Sequence, residues 1–208
     1  FASPYLQSPL LLGTDIVMHS CTKYIGGHSD IVAGAIITND NELFEKINFN
    51  LLSMGACISP FDAYILMRSL KTLKIRVEEA TKNAQIIVNY LKNHPKIEKV
   101  FYPGLESHPG HLIAKKQMRN FGAMISFTIK GDLSSSKLLL ENMKLITLAE
   151  SLGGVESLIE CPALMTHMSV PVEQRIKLGI NDTLIRLSVG IETVSDLIQD
   201  LENSLNLI

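Results

Sequence analysis

The 208-residue sequence has no tryptophan, only 6% aromatic residues and only three cysteines. Cys21, Cys57 and Cys161 form no Cys-x-x-Cys pair and no His/Cys ligand spacing, so neither a disulfide framework nor a zinc or other metal site is expected. A sparse, odd cysteine count fits a reducing compartment, and a cytoplasmic location is the expectation. Basic excess is also missing: 19 Lys and Arg face 21 Asp and Glu, which gives no electrostatic footprint for nucleic acid or an anionic membrane. No apolar run is long enough to span a bilayer. No signal peptide is visible; the sequence opens Phe1-Ala2-Ser3-Pro4 without methionine, and residues upstream of Phe1 are expected in the whole protein.

What is present is globular. Hydrophobic residues make up 46% and charged residues 19%, enough apolar side chain for a packed core. No internal repeat or low-complexity segment is found. Residues 14–18 and the β-branched run 31–38 read as short strands, and 41–49 as a helix. Ser59-Pro60, an N-cap followed by a first-turn proline, opens a helix toward Leu73. Val77, Ala80, Ala84, Ile87 and Leu91 recur every three or four residues and make one face of a long helix over 74–93, ended by His94-Pro95. Beyond it, a strand running into a turn over 97–104 and strands in 123–131, 145–151 and 184–190 alternate with helices over 108–118, 133–143, 171–178 and the closing segment from Val194. Four strands alternating with helices describe an α/β unit. The boundary falls at the long helix: 1–72 reads as the tail of a larger domain and 73–208 as a small complete one.

Within 1–72, the stretch His19-Ser20-Cys21-Thr22-Lys23-Tyr24-Ile25-Gly26-Gly27-His28 holds one lysine among small residues. A lysine that bonds covalently to a carbonyl must be withdrawn from bulk water and able to shed its proton. If the carbonyl belongs to pyridoxal phosphate, a phosphate must also be held; the hydroxyls of Ser20 and Thr22 flank Lys23 and suit it, and Gly26-Gly27 lets the backbone turn away. Ser-x-Thr-Lys by itself is a weak pattern.

The longer stretch is specific. Asp15, Ile16, Ser20, Cys21, Thr22, Lys23, Tyr24, Ile25, Gly27, His28 and Ser29 resemble the pyridoxal-lysine signature of the Cys/Met-metabolism enzymes, the family of cystathionine γ-lyase, γ-synthase and β-lyase and of methionine γ-lyase. The resemblance runs on through "YPGLESHP", "KKQMRNFGAMISF", "LAESLGGVESLIECPALMTH" and "DTLIRLSVGIE", covering the whole chain but only the second half of a family member. It implies a fold-type I pyridoxal-phosphate enzyme: 1–72 as the end of the large cofactor domain and 73–208 as the small C-terminal α/β domain. It further implies that Lys23 carries pyridoxal 5'-phosphate and shuttles protons, that Ser20 and Thr22 help bind the cofactor, and that the assembly is a homotetramer built from dimers with shared sites. The acid that meets the pyridine nitrogen, the aromatic that stacks on the ring, the Gly-rich phosphate loop, and the Tyr and Arg that reach a neighbour's phosphate would lie upstream of Phe1.

A lone arginine in Leu184-Ile185-Arg186-Leu187 should not be buried without an anionic partner. The resemblance makes Arg186 the clamp for an amino-acid substrate's α-carboxylate, puts Ser151 against Lys23 and substrate, and aims Glu150 at the substrate's distal end. A carboxylate there suits the distal ammonium of cystathionine, so the expected reaction is α,γ-elimination of L,L-cystathionine; γ-synthase and methionine γ-lyase remain the alternatives, as does an inactive half that serves only as an interaction module. Thr166 is expected to line the same cavity. His167 is a weaker candidate for a general base, His28 is expected to fix the loop, and Cys21 to fill space.

Overall fold

The computed structural model describes residues 1–208. After a 3-10 turn at Pro9–Leu12, strands β1 (Ile16–Ser20) and β2 (Gly34–Thr38) form a two-stranded antiparallel sheet, with Ile16 opposite Thr38 and Ser20 opposite Gly34. Between them Cys21–Ile25 makes one wide helical turn closed by Gly26 N donating to Cys21 O at 2.7 Å. Helix α1 (Asn41–Met54) starts where the Asp40 side chain accepts from Leu43 N, and ends at Gly55, whose φ of +67° a residue with a side chain rarely adopts. Helix α2 (Pro60–Leu70) starts as the sequence indicates, with Ser59 Oγ accepting from Asp62 N at 3.1 Å.

The long helix α3 (Leu73–Asn93) leads into the second region. There β3 (Ile97–Phe101), α4 (His111–Gln117), β4 (Met124–Ile129), α5 (Leu133–Glu141), β5 (Thr147–Leu148), β6 (Leu158–Glu160), α6 (Val172–Lys177), β7 (Leu184–Ser188) and α7 (Val194–Leu205) follow in order. The sheet order is β3-β4-β7-β6-β5, antiparallel except for β5 with β6. The apolar faces of α3 and α7 supply Val77, Ala84, Ile87, Leu91, Leu197, Leu201 and Leu205 to a core shared with Ile125, Phe127, Ile185 and Leu187 of the sheet. Each such fully buried side chain contributes about 1.5–3 kcal/mol relative to exposure.

The α/β class expected from the alternating pattern is observed, with differences of detail. The sheet has five strands instead of four: β6 is only three residues long and carries a glutamate, so it shows no strand periodicity. The strand expected over 145–151 shrinks to Thr147–Leu148 because the chain from 149 turns toward the Lys23 loop. β1 begins two residues later than expected, β2 begins at Gly34, and α1 continues to Met54. α4 begins at His111, since Pro109 and Gly110 hold the preceding residues in a turn.

Candidate active site

The turn bearing Lys23 is held from three sides. From α3, the buried Arg76 guanidinium donates to Tyr24 O (2.8 Å), Ile25 O (3.3 Å) and Ser69 O (3.0 Å), and its Nε donates to Thr72 Oγ1 (3.1 Å). Gly27, at φ +72°, lies so close to that guanidinium that a Cβ would collide with it. From the sheet side, Val155 N donates to Gly27 O at 2.9 Å. Gly153 also approaches the loop: a Cβ there would sit 2.8 Å from Tyr24 N and 3.2 Å from the Lys23 carbonyl carbon. From within, His28 Nδ1 lies 2.8 Å from Gly26 O, the loop-fixing role expected of it. Lys23 thus sits on a backbone fixed by hydrogen bonds on both faces.

The half-buried Lys23 side chain donates from Nζ to Ser151 Oγ at 3.2 Å. It lines a 450 Å³ cavity together with Ala2, Ser3, His19, Ser20 and Leu152. That volume lies within the range of small-molecule sites. Next door, Arg186 donates from Nη2 to the carbonyls of Glu150 and Ser151, the latter at 3.3 Å. Lys23, Ser151 and Arg186, far apart in sequence, therefore form one connected group, with Ser151 between the other two.

The other expected residues are placed less uniformly. Ser20 is exposed on the cavity wall. The Thr22 hydroxyl is engaged with backbone: it donates to Ala33 O at 3.3 Å and accepts from Ala33 N at 3.0 Å, so it must rotate to give its proton to a phosphate. The Glu150 side chain is exposed, and only its carbonyl contacts Arg186. Thr166 Oγ1 donates to Glu160 Oε1 at 3.2 Å and lies 2.9 Å from His167 Nδ1. Cys21 is buried, and burial pushes its thiol up, as fits a filler. Burial likewise pushes the Tyr24 phenol up, and the Ser188 side chain beside it opposes that shift.

Glu160 is the residue that the sequence reading missed. It pairs with Arg186 Nη1 at 2.9 Å, and the two stand directly opposite in the β6–β7 register. Its residue exposure is 1%, against 18% for the Arg186 side chain. Burial pushes its carboxyl up, and the Arg186 charge opposes that shift. The requirement that Arg186 have an anionic partner is met inside the protein. The available signal was a lone glutamate within Leu158-Ile159-Glu160-Cys161, a charge in an apolar run.

A family model described as Cys/Met metabolism PLP-dependent enzyme matches residues 1–206. The chain belongs to that family. Members at nearly equal identity carry different names. A cystathionine gamma-lyase of Dictyostelium discoideum is 58% identical over 206 residues, 99% of this chain and 53% of the relative. An L-methionine gamma-lyase of Fusobacterium nucleatum subsp. polymorphum is 56% identical over 207 residues, 99% of this chain and 52% of the relative. Among solved structures, cystathionine gamma synthase from Xanthomonas oryzae pv. oryzae in complex with cystathionine superposes with a TM-score of 0.95 at 46% identity, covering 99% of this chain and 53% of that one. The chain spans about half the length of the relatives it matches. The family is pyridoxal-phosphate-dependent, and the Lys23 cavity fits that group: a fixed lysine amine and a hydroxyl at Ser20 stand on its wall.

Proposed function

We propose that the chain supplies the lysine-bearing and carboxylate-binding part of a pyridoxal-phosphate-dependent carbon–sulfur lyase acting on L,L-cystathionine. The connected group Lys23–Ser151–Arg186 carries this reading, because it joins an amine and a guanidinium through one residue, Ser151. When bound, pyridoxal phosphate supplies a carbonyl for covalent attachment to Lys23 and a ring that stabilises negative charge at the substrate Cα. Lys23 Nζ, steered by Ser151 Oγ, takes and returns protons at Cα and Cβ. Arg186 binds the α-carboxylate and so fixes which Cα bond faces the amine. Ser20 and, after rotation, Thr22 contribute to phosphate binding; the residues that meet the pyridine nitrogen and the rest of the phosphate belong to the part of the relatives that this chain does not cover. The balanced reaction is cystathionine and water to cysteine, 2-oxobutanoate and ammonia.

Substrate choice rests on Glu150. Its exposed carboxylate, on the residue whose carbonyl Arg186 holds, is available to a distal ammonium. A charge-assisted bond of this kind is worth about 1.5–3 kcal/mol, and a neutral thioether in its place leaves the carboxylate unpaired. A homotetramer of dimers is part of the same proposal, supported by apolar side chains left in solvent on α1 and α2, including Phe44, Phe49, Phe61 and Met67. No helix is long and apolar enough to cross a membrane, and we place the assembly in the cytoplasm.

Two substitutions test the reading in the assembled holoprotein. Lys23→Ala should abolish the visible absorbance of covalently held cofactor and lower turnover by orders of magnitude; an unchanged band with near-normal turnover refutes the role. Glu150→Val should reverse preference, losing cystathionine cleavage and gaining methionine cleavage. An equal change in kcat/KM for both substrates removes the argument for cystathionine and leaves methionine γ-lyase in its place.

A further inference from the structure

Three of the five N–H donors of Arg186 are assigned, including both on Nη2, the nitrogen that either bidentate face of a guanidinium must use. Nη1 gives one to Glu160, and Nη2 serves two backbone carbonyls, those of Glu150 and Ser151. An incoming carboxylate that uses the guanidinium fork must therefore displace something. The two kinds of contact differ in strength: Nη1 to Glu160 is an ion pair with a 1%-exposed carboxylate, whereas the carbonyls are neutral acceptors. Glu160 is itself fixed. It lies within β6, directly opposite Arg186 in the register, and Thr166 donates to the same oxygen that Arg186 uses. Its second oxygen, Oε2, is buried with no hydrogen-bond partner, so all of its pairing is directed through Oε1.

We propose that Glu160 is the positioning residue of the carboxylate clamp: it holds Nη1 of Arg186 as a fixed pivot, and the ligand's carboxylate exchanges only with the Glu150 and Ser151 carbonyls on the Nη2 side. This rests on the reading of Arg186 given above. It gives Thr166 a role through Glu160 instead of through direct contact with ligand. It also couples the clamp to the lysine, because the Ser151 whose carbonyl is released is the residue whose hydroxyl accepts from Lys23 Nζ.

Geometry and charge make opposite demands on this pivot, and that separates positioning from ordinary structural support. Glu160→Gln keeps an acceptor of the same length but removes the negative charge that competes for Arg186. Glu160→Met keeps length and volume and removes the acceptor. The test titrates the cofactor-loaded protein, assembled with a relative's upstream half, with L-alanine and with ethylamine, which lacks the carboxylate, and follows cofactor absorbance. Circular dichroism checks the fold of each variant.

We expect Glu160→Gln to bind L-alanine as tightly as the parent or up to several-fold tighter, and Glu160→Met to bind it at least tenfold more weakly. Ethylamine affinity should stay within twofold in both. Equal losses for Gln and Met, equal losses for L-alanine and ethylamine, or no change in either variant overturns the positioning role while leaving the Lys23 assignment intact. If the Met variant does not fold, a tenfold loss of L-alanine binding in Glu160→Gln still overturns it. An unsubstituted protein with no cofactor absorbance overturns the functional reading, and the Glu160 role falls with it.

Discussion

The two regions on either side of the start of α3 use apolar residues in opposite ways. Of the 28 buried residues in the main core, only Leu6 and Tyr24 come from 1–72. Helix α1 buries none of its fourteen residues and α2 buries only Ser69, although both are rich in Phe, Leu and Met. In 73–208 the core helices turn such side chains inside: α3 alone buries ten residues, seven of them apolar. The first region also contains an apolar groove of 650 Å³ bounded by β1, β2 and α2, with Val17, Ile25, Ile37, Leu66 and Met67 on its walls. The second region builds the main core almost entirely from its own side chains, although Ile75, Leu112, Met168 and Leu178 remain exposed on it. The first shows surface that needs a neighbour, and yet it holds Lys23 rigidly. That combination teaches that local order around the lysine comes from Arg76 and the 153–155 segment, which reach it from the well-packed side.

Cutting the chain gives the largest test of this difference. Expressed separately, 73–208 should unfold cooperatively in urea, whereas 1–72 should show no cooperative transition, since below about 70–80 residues a core must be unusually complete to stand alone. A cooperative transition in 1–72 by itself would erase the contrast. Single substitutions sharpen it. Phe127, fully buried in β4, should cost about 3–5 kcal/mol as Phe127→Ala in denaturant titrations. Phe49, 70% exposed on α1, should change the stability of the chain by no more than about 0.5 kcal/mol as Phe49→Ser. Comparable losses at the two positions would mean that the first region is packed in solution after all.

The smallest expected effect lies at the start of α5. Asp132 caps the helix, and the N–H of Ser135, followed by the contacts of Ser134, holds its carboxyl below the usual carboxylate range. A depressed folded value means that the contribution is present above the ordinary carboxylate pKa and is lost as pH falls through the lower, folded value. Asp132→Ser keeps a capping hydroxyl and removes the titration. Its thermal midpoint should thus fall slightly less than the parent's between about pH 5 and about pH 3. Parallel curves would show that the cap does not titrate with folding.

Much of the fold could be read from local chemistry. Ser59-Pro60 and His94-Pro95 mark helix ends by capping and by the backbone limits of proline, which act within a few residues. The 3.6-residue spacing of Val77 through Leu91 fixes which face of α3 is buried. The short strand β6 was not legible, because three residues cannot establish a period of two and one of them is charged. Lys23 was legible because its neighbours form a long pattern of fixed residue types. Arg186 was legible only as a charge in need of a partner.

What the sequence determined by itself, then, was the order and type of the longer elements and the family to which the motif around Lys23 is similar. Those rest on interactions between near neighbours and on residue types in one contiguous stretch. The tertiary structure alone decided that Glu160, twenty-six positions before Arg186, is its partner, that Ser151 stands between Lys23 and Arg186, and that Arg76 grips the lysine turn from fifty residues away. Strand register brings the first pair together, and chain crossings bring the others together. Neither leaves a periodic trace in the sequence, because a buried charge fixes only that a partner must exist, and packing chooses which one.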